Sequence, residues 1–285
     1  MTGATGFVGR HVVAQFLRHG HSVVAAARNA ERFAAMPWSD KVEFVACDLG
    51  VDFRPVVNCA QQADALVHLA WPGLPNYLDF FHIGRNLCAD LAFLQAIVTA
   101  GIRQLLVAGT CLEYGMQYGP LAEDTETRPH TPYGFAKDAL RKSLELLQKQ
   151  HPFTLQWMRL FYMYGEGQNP NSLLAQLDRA IERGDAVFNM SGGDQLRDYL
   201  PVEEVGADFV RAATNLEHCS GVINCCSGRP TSVLDLVQLR CKASASSIEL
   251  NRGYYPYPAY EPMAFWGVPG KLSPLRSVNL VELRQ

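Results

Sequence analysis

The sequence predicts an α/β fold: a doubly wound, parallel sheet with helices on both faces, followed by a smaller, loop-rich α+β lobe. Two observations lead to this prediction. In the first half of the chain, short apolar runs alternate with amphipathic stretches long enough to form helices, and strands that alternate with such helices form parallel sheets. After Tyr164, turn-rich segments such as GEGQNPNS, SGGDQ and GYYPYPAYEP become frequent, which is typical of an irregular lobe.

The elements follow in order along the chain. Apolar runs predict strands at residues 22–27, 42–46, 65–69, 104–108 and 154–161. Amphipathic stretches predict helices at residues 10–19, 87–100, 132–150, 173–183, 202–215 and 232–239. We therefore place a first domain at residues 1–165 and the smaller lobe at residues 166–285, with parts of about 195–235 returning to the first domain.

Composition and charge exclude several classes of function. The chain has 285 residues, a formal net charge of −3 and scattered Lys and Arg side chains, which argues against a nucleic-acid partner and against an anionic membrane surface. No apolar run is long enough to cross a membrane, and the start MTGATGFVG lacks the layout of a signal peptide. The eight cysteines form no C-x-x-C pair, so no metal site is expected and a cytoplasmic location is predicted.

A glycine-rich turn opens the first predicted helix. The glycines are Gly3, Gly6 and Gly9 of TGATGFVG, and Phe7 and Val8 lie between the last two. Glycines permit a tight turn and a close approach to a pyrophosphate, and the helix N-terminus supplies free N–H groups. The pattern predicts a dinucleotide site of the Rossmann type, with a ligand-free loop as the alternative. Because only two residues precede the turn, the first strand of this unit is expected to be clipped.

The end of the strand at 22–27 distinguishes the two nicotinamide cofactors. Sites for NAD tend to carry an acidic residue there, which bonds the ribose 2′-hydroxyl. Here the strand ends at Ala27 and is followed by Arg28, whose guanidinium suits a 2′-phosphate. NADP is therefore the predicted cofactor, with NAD possible. An ordinary solvated arginine is the alternative interpretation of Arg28.

A tyrosine and a lysine four residues apart predict acid–base chemistry. Tyr133 and Lys137 share one face of the predicted helix at 132–150. A positive charge near a phenol lowers its pKa, so the pair is suited to general acid–base catalysis. Thr110 follows the strand at 104–108, at the sheet edge where such folds bind ligands, and its hydroxyl can orient the reacting oxygen. Chance occurrence on an exposed helix is the alternative for the Tyr–Lys pair alone.

Taken in order, these motifs resemble the extended short-chain dehydrogenase/reductase family, and within it the NAD-dependent epimerase/dehydratase group. The similarity runs from residue 1 to about 240 and is carried by the segments TGATGFVG, CDL, VHLAW, GTCLEYG, PYGFAK, RLFYMYGEGQ, GGDQLRDYLPVEEV and INCCSGRPTSVLDL. The resemblance implies a Rossmann-type fold, the catalytic set Thr110, Tyr133 and Lys137, and a nucleotide-diphosphate sugar as substrate.

The same resemblance implies further site residues. Those near the cofactor, besides the glycine turn, Arg28 and the Tyr–Lys pair, are Asp48, Leu49, Leu69 and Ala70. Those near the substrate are Trp71, Asn86, Tyr162 and Arg197. Arg197 matches the family arginine that grips the diphosphate, whereas family members often carry Asn where this chain has Tyr162.

Departures from the family pattern reduce the number of candidate reactions. The 4,6-dehydratases of the group carry Asp and Glu after the catalytic threonine, but Thr110 is followed by Cys111 and Leu112, which disfavours dehydration. The predicted reaction is reduction of a 4-keto group of a nucleotide-linked deoxysugar by hydride transfer. A 4-epimerase of the same family is the alternative. From other classes, a reductase of a non-sugar carbonyl and a non-catalytic NADP-sensing protein stay open, and a homodimer is a possible assembly.

Overall fold

The computed structural model describes residues 1–276. Its helices are α1 Phe7–Arg18, α2 Ala30–Ala34, α3 Arg54–Ala60, α4 Cys88–Thr99, α5 Pro132–Leu147, α6 Leu173–Arg183, α7 Val202–Thr214, α8 Val233–Ala243 and α9 Ser273–Arg276. Its strands are β1 Val24–Ala27, β2 Glu43–Ala46, β3 Leu66–His68, β4 Gln104–Thr110, β5 Gly119–Leu121, β6 Thr154–Leu160, β7 Tyr162–Tyr164, β8 Val187–Asn189, β9 Leu196–Pro201, β10 Gly221–Cys225, β11 Pro230–Ser232, β12 Glu249–Asn251 and β13 Phe265–Gly267. Short 3₁₀ turns span Ser39–Lys41 and Cys111–Glu113, and a π-helical turn spans His82–Leu87.

The main sheet is parallel throughout. Its strands pair in the orders β2–β1 and β3–β4–β6–β10, and Thr2 joins the two groups through parallel bridges to Ala26 on β1 and His68 on β3. Backbone bonds from the Thr2 N–H to the Val67 carbonyl (2.9 Å) and from the Ala26 N–H to the Met1 carbonyl (2.8 Å) complete this pairing. Met1 and Thr2 thus lie at the centre of the sheet, immediately before the glycine turn.

Helices cover both faces of this sheet, which confirms the doubly wound prediction. On one face α1 and α7 pack together over a core that includes Val12 and Phe209. On the other face α4 and α5 cover a core that includes Phe93, Leu140 and Trp157. Because both sides of the inner strands are buried, these strands appear in the sequence as continuous apolar runs.

A smaller lobe of mixed α+β structure is built largely from the second half of the chain. β7, β9 and β11 form a three-stranded sheet, β8 pairs with β12, and β5 pairs with β13. α6 and α8 pack around Leu177, Phe188 and Val237. α7 and β10 lie with the main sheet, since α7 packs on α1 and β10 pairs with β6. The exact domain boundary at residue 165 stays a prediction.

The sequence patterns locate the main elements but not the short ones. The helix predicted to reach residue 150 ends at Leu147, and the helix predicted from residue 87 is preceded by the π-helical turn that begins at His82. The patterns do not predict α2, α3, α9, β5 or any of the strands β7 to β13, because segments this short give no clear periodic signal. Within residues 1–276, no helix has the length and apolar character to span a membrane.

Candidate active site

The carboxyl end of β4 carries Thr110. Its side chain accepts a hydrogen bond from the Leu112 N–H (3.3 Å), while the Glu113 carboxylate accepts one from the Thr110 N–H (2.8 Å). This reciprocal capping fixes the short turn Cys111–Glu113. Because the Thr110 oxygen accepts the backbone bond, its own proton is left for an oxygen in the site. The predicted orienting role of Thr110 agrees with this geometry.

The first turns of α5 place Tyr133 and Lys137 beside Thr110. Thr131 caps this helix by accepting the Gly134 N–H at 3.0 Å. Tyr133 and Lys137 lie four residues apart and are both buried, with 7% and 2% of their surfaces exposed. The start of this helix lies against the turn that follows Thr110, since a Cβ on Gly134 would lie 2.5 Å from the Leu112 carbonyl oxygen. The structure therefore brings the three predicted catalytic residues together.

Trp71 lies directly against the tyrosine–lysine pair. The Lys137 ammonium is 3.8 Å from the centre of the indole ring, and the ring centroids of Trp71 and Tyr133 are 5.9 Å apart. The indole N–H of Trp71 donates to Nδ1 of His82 at 3.0 Å, and Nε2 of His82 donates to the Asn76 carbonyl at 3.0 Å. Trp71 thus lies beside the predicted catalytic pair, and His82 fixes its orientation. Its contact with the substrate stays a prediction.

Asn86 fixes the loop that carries Trp71. Its side-chain amide is buried and donates to the Pro72 carbonyl at 2.9 Å. The bond holds the loop after β3 that contains Trp71. Asn86 is part of the π-helical turn His82–Leu87, and such turns are frequent at functional sites. Its amide is already engaged with the backbone, so a direct contact between Asn86 and substrate stays a prediction.

Burial shifts the pKa values of both members of the predicted catalytic pair. Desolvation raises the pKa of Tyr133 well above that of an exposed phenol, although the interaction with Thr110 opposes the rise. Desolvation also lowers the pKa of Lys137 to about 8. The sequence predicts that Lys137 lowers the phenol pKa, whereas burial raises it in this structure and favours the protonated phenol at neutral pH.

The glycine turn packs too closely for side chains. Gly3 has a φ of +69°, and a Cβ there would lie 2.6 Å from the Ala70 nitrogen. A Cβ on Gly9 would lie 2.0 Å from the Gly3 carbonyl oxygen. Real Cβ atoms do not approach this closely, so both positions require glycine. The turn therefore lies against Leu69 and Ala70, the two residues after β3. Both are predicted to lie near the cofactor.

The N-terminus of α1 offers backbone donors to an anion. Gly6 is the N-cap without a side-chain cap, and the first turn carries no acidic side chain. The N–H groups of this turn, which include those of Phe7 and Val8, have no acceptor within the helix. The helix dipole also favours a negative group there. These residues are suited to hold the pyrophosphate of NAD(P).

Arg28 and Asp48 lie just beyond the carboxyl ends of β1 and β2, at the same edge of the sheet as the glycine turn. Both side chains are exposed. The Asp48 carboxylate accepts the Gly50 N–H at 3.0 Å and so shapes the turn after β2. Leu49 is half-buried and packs against the core beneath α4 and α5. The roles of these residues around the adenosine end of a cofactor stay predictions.

Arg197 lies on β9 and is buried in the smaller lobe. Its Nη1 donates to the carbonyls of Leu196 (2.9 Å) and Met263 (3.2 Å), and its Nη2 donates to the Glu261 carboxylate (3.1 Å). The guanidinium carbon lies 4.7 Å from the centre of the Phe265 ring. The predicted diphosphate-binding arginine is thus paired with a carboxylate of its own chain, Glu261.

Tyr162 lies on β7 beside Arg197. Its ring is 5.6 Å from that of Tyr199 on β9 and 6.0 Å from that of Phe265, and the Arg197 guanidinium lies 5.7 Å from its centre. Its hydroxyl is buried beside Glu261 and Arg197 but forms no well-aligned hydrogen bond with either residue. A buried hydroxyl without a well-formed hydrogen bond is costly, so a polar atom of a ligand at this place would stabilise it.

Aromatic rings connect the two halves of the site. The ring of Tyr77 lies 5.6 Å from that of Tyr133 and 6.1 Å from that of Tyr260. Tyr260 directly precedes Glu261, so this row of rings runs from the catalytic residues toward Arg197. No sequence motif indicates Tyr77, His82 or Glu261. The aromatic run at 254–260 is the one sequence feature that indicates an aromatic wall near the site. Within it Tyr260 is half-buried, whereas Tyr254 and Tyr255 are exposed.

Comparisons with known proteins identify the family of the chain. Residues 1–226 match the model of the NAD dependent epimerase/dehydratase family. A dTDP-6-deoxy-L-talose 4-dehydrogenase (NAD(+)) from Aggregatibacter actinomycetemcomitans is 30% identical over 269 residues, which cover 94% of this chain and 98% of the relative. A UDP-glucose 4-epimerase from Mycolicibacterium smegmatis is 27% identical over 74% of this chain and 72% of the relative.

Solved structures agree in fold. MoeE5 in complex with UDP-glucuronic acid and NAD matches with a TM-score of 0.82 at 27% identity, over 95% of this chain and 90% of that chain. A UDP-glucose-4-epimerase from Stenotrophomonas maltophila with bound NAD matches with a TM-score of 0.85 at 21% identity, over 99% of this chain and 94% of that chain. Family model, relatives and fold together establish that this chain belongs to the NAD-dependent epimerase/dehydratase family of extended short-chain dehydrogenases/reductases.

Proposed function

We propose that this chain reduces the 4-keto group of a nucleotide-linked deoxysugar, with a bound nicotinamide cofactor supplying the hydride. The observation that carries the proposal is the convergence of Thr110, Tyr133 and Lys137 between a glycine cradle and the buried Arg197. The relative named dTDP-6-deoxy-L-talose 4-dehydrogenase supports this substrate class, because the chains match over almost their whole lengths.

Tyr133 is the proposed proton donor. Burial keeps its phenol protonated at neutral pH, which is the state that reduction of a ketone requires. The phenol proton passes to the carbonyl oxygen while the carbon accepts the hydride, and the product is an alcohol. Thr110 donates a hydrogen bond to the same oxygen. Lys137, on the same face of α5, stabilises the phenolate that is left on Tyr133.

Arg197 and Tyr162 are the proposed contacts to the nucleotide end of the substrate. A guanidinium binds a diphosphate through several charge-assisted hydrogen bonds. The buried hydroxyl of Tyr162 adds a donor beside it. Tyr77 and Tyr260 lie between this end and Tyr133, where they can flank a sugar ring.

Arg28 supports NADP as the preferred cofactor. It is exposed at the end of β1, where a 2′-phosphate of the cofactor is expected. The relative and the solved structures named above carry NAD in their names. We therefore expect the chain to use both cofactors and to bind NADP(H) more tightly, through Arg28.

A 4-epimerase is the second candidate, because 4-epimerases are among the relatives and the solved structures that match. The two reactions differ in whether they consume the reduced cofactor. Reduction consumes one reduced cofactor for each product, whereas epimerisation returns the cofactor to its starting state and inverts C4.

The test is a panel of dTDP- and UDP-linked sugars, with and without a 4-keto group, assayed with NADPH and with NADH. We expect stoichiometric loss of reduced cofactor with a nucleotide-linked 4-keto-deoxysugar and no reaction of the free sugar. Tyr133→Phe should lower kcat by about 10²- to 10⁴-fold, because it removes only the proton donor.

Two further variants separate the parts of the proposal. Arg197→Lys should raise KM by about 10- to 100-fold, because the forked contact to the diphosphate is lost. Arg28→Ala should raise the Kd for NADPH and leave that for NADH unchanged. C4 inversion without net cofactor consumption would establish the epimerase instead, and equal reaction of the free sugar would overturn the substrate class.

A further inference from the structure

Glu113 is a fully buried carboxylate next to the catalytic residues, yet it takes no part in the proposed proton transfer. Its Oε1 accepts the Thr110 N–H and the Trp157 indole N–H, each at 2.8 Å, and its Oε2 accepts the Arg159 Nε–H at 2.7 Å. Neither Glu113 nor Trp157 has any exposed surface. The carboxylate thus accepts three hydrogen bonds, one of them from the backbone of Thr110, and its Oε2 also lies 3.9 Å from the Arg141 Nε on α5.

The neighbouring strand is built to hold this carboxylate. Trp157 and Arg159 are two residues apart on β6, so their side chains leave the same face of the sheet toward β4 and the turn after it. Gly109 leaves the necessary space, because a Cβ there would lie 2.2 Å from the Trp157 Nε1 and 2.6 Å from the Glu113 Oε1. The Arg159 guanidinium also lies 4.4 Å from the centre of the Tyr114 ring.

The turn that Glu113 fixes also meets the start of α5. A Cβ on Gly134 would lie 2.5 Å from the Leu112 carbonyl oxygen, so the turn and the first turn of the helix are in close contact. Gly134 is the residue after Tyr133. A shift of the turn would therefore change the separation between Thr110 and Tyr133, and small misplacements of catalytic groups are costly in rate.

We propose that Glu113 is a positioning residue that acts through Thr110: it anchors the end of β4 to β6 and so sets the place of the Thr110 hydroxyl relative to Tyr133. The inference rests on the proposed function of Thr110. A purely structural ion pair would stabilise the fold without affecting the catalytic role of Thr110, and this difference can be measured.

The experiment is a double-mutant cycle on kcat with Glu113→Gln, Thr110→Ala and the double variant. Gln keeps the shape of Glu113, but its amide turns a donor toward Arg159 and weakens the anchor. We expect Glu113→Gln to lower kcat by about 10- to 100-fold with little change in KM or in cofactor Kd. In the Thr110→Ala background the same substitution should have almost no further effect, because the group it positions is absent.

The matched control is Asp208→Asn. Asp208 is an equally buried carboxylate that pairs with Arg211 and Arg276, and none of its contacts within residues 1–276 involves Thr110, Tyr133 or Lys137. It should lower the free energy of unfolding and leave kcat of the folded protein unchanged. Trp157→Phe is a milder variant in case Glu113→Gln does not fold, because it removes one hydrogen bond to Glu113 and keeps an aromatic ring. We expect it to lower kcat by a smaller factor than Glu113→Gln does. This effect on kcat should also disappear in the Thr110→Ala background.

Additive effects of Glu113→Gln and Thr110→Ala on kcat would overturn the positioning role. If Tyr133→Phe and Thr110→Ala leave kcat unchanged, the proposed function fails instead. The two failures are therefore distinguishable.

Discussion

At the scale of single residues, Lys137 shows that a functional group can oppose folding. Its ammonium is almost completely buried, and its position over the Trp71 ring at 3.8 Å recovers part of the lost hydration. Desolvation still lowers its pKa from 10.5 to about 8. The charged form is therefore less favourable in the folded chain than in the unfolded chain.

Lys137→Met should stabilise the protein at neutral pH while it abolishes efficient turnover. The unfolded chain binds more protons than the folded chain between the two pKa values, so the cost of Lys137 is fully present below pH of about 8 and declines as pH rises toward 10.5. We expect the free energy of unfolding to rise by about 1–3 kcal/mol at neutral pH, after allowance for the lost cation–π contact. Urea unfolding at several pH values measures this difference, which should shrink above the lowered pKa.

Lys142→Met is the control for that measurement, because Lys142 is an exposed lysine on the same helix, paired with Asp138 at 2.6 Å. It should not stabilise the protein. A Lys137→Met protein that is less stable than wild type at neutral pH contradicts the burial argument.

At the scale of elements, the glycine turn and α1 form one unit with the end of β3. Gly3 approaches the backbone at Ala70, and Gly9 approaches Gly3, so turn, helix and strand fix one another without side chains. The spacing of glycines in the sequence predicts the turn. The contact with Ala70 is invisible in the sequence, because residues 3 and 70 are brought together only by the sheet.

Gly9→Ala should weaken cofactor binding strongly. The new Cβ would lie 2.0 Å from the Gly3 carbonyl oxygen, so the turn must open and its N–H groups must move. We expect a loss of about 1–3 kcal/mol in affinity for NAD(H) and NADP(H) alike, roughly 5- to 150-fold in Kd. Calorimetric titration of the folded variant measures it. Gly84→Ala is the comparison variant, since a Cβ there meets only the Phe80 ring at 3.8 Å, and it should bind normally. Normal affinity of Gly9→Ala would show that the turn does not hold the pyrophosphate.

At the scale of the whole molecule, the site is completed by a segment far along the chain. Tyr257 is fixed by its hydroxyl bond to Asp194 (2.7 Å), and the Leu196 N–H donates to the Met263 carbonyl (2.9 Å). Between these two attachments, Glu261 reaches the buried Arg197. An anion of the chain thus occupies the arginine proposed to bind the substrate diphosphate.

Glu261→Gln should lower the KM for the nucleotide-sugar. The substitution keeps a hydrogen-bond acceptor for Arg197 but removes the negative charge with which the diphosphate competes. We expect KM to fall by about two- to tenfold, the range of a modest ion pair. Steady-state kinetics of wild type and variant with the same substrate measure this change in KM. The KM of the variant should also depend less on added salt than that of wild type. A rise in KM would mean that Glu261 contributes a contact to the substrate.

The sequence by itself determines the alternation of strands and helices in the first half of the chain, the glycine turn, and the candidate catalytic residues Thr110, Tyr133 and Lys137. These features depend on local periodicity or on short spacings, which survive in a linear pattern. The tertiary structure alone decides that Glu113 is anchored by β6, that His82 orients Trp71 and that Glu261 pairs with Arg197. Of these pairs, Glu113–Arg159 and Arg197–Glu261 join residues 46 and 64 positions apart. The physical reason is burial: these polar groups need partners in a place without water, and only the packed fold determines which partners are within reach.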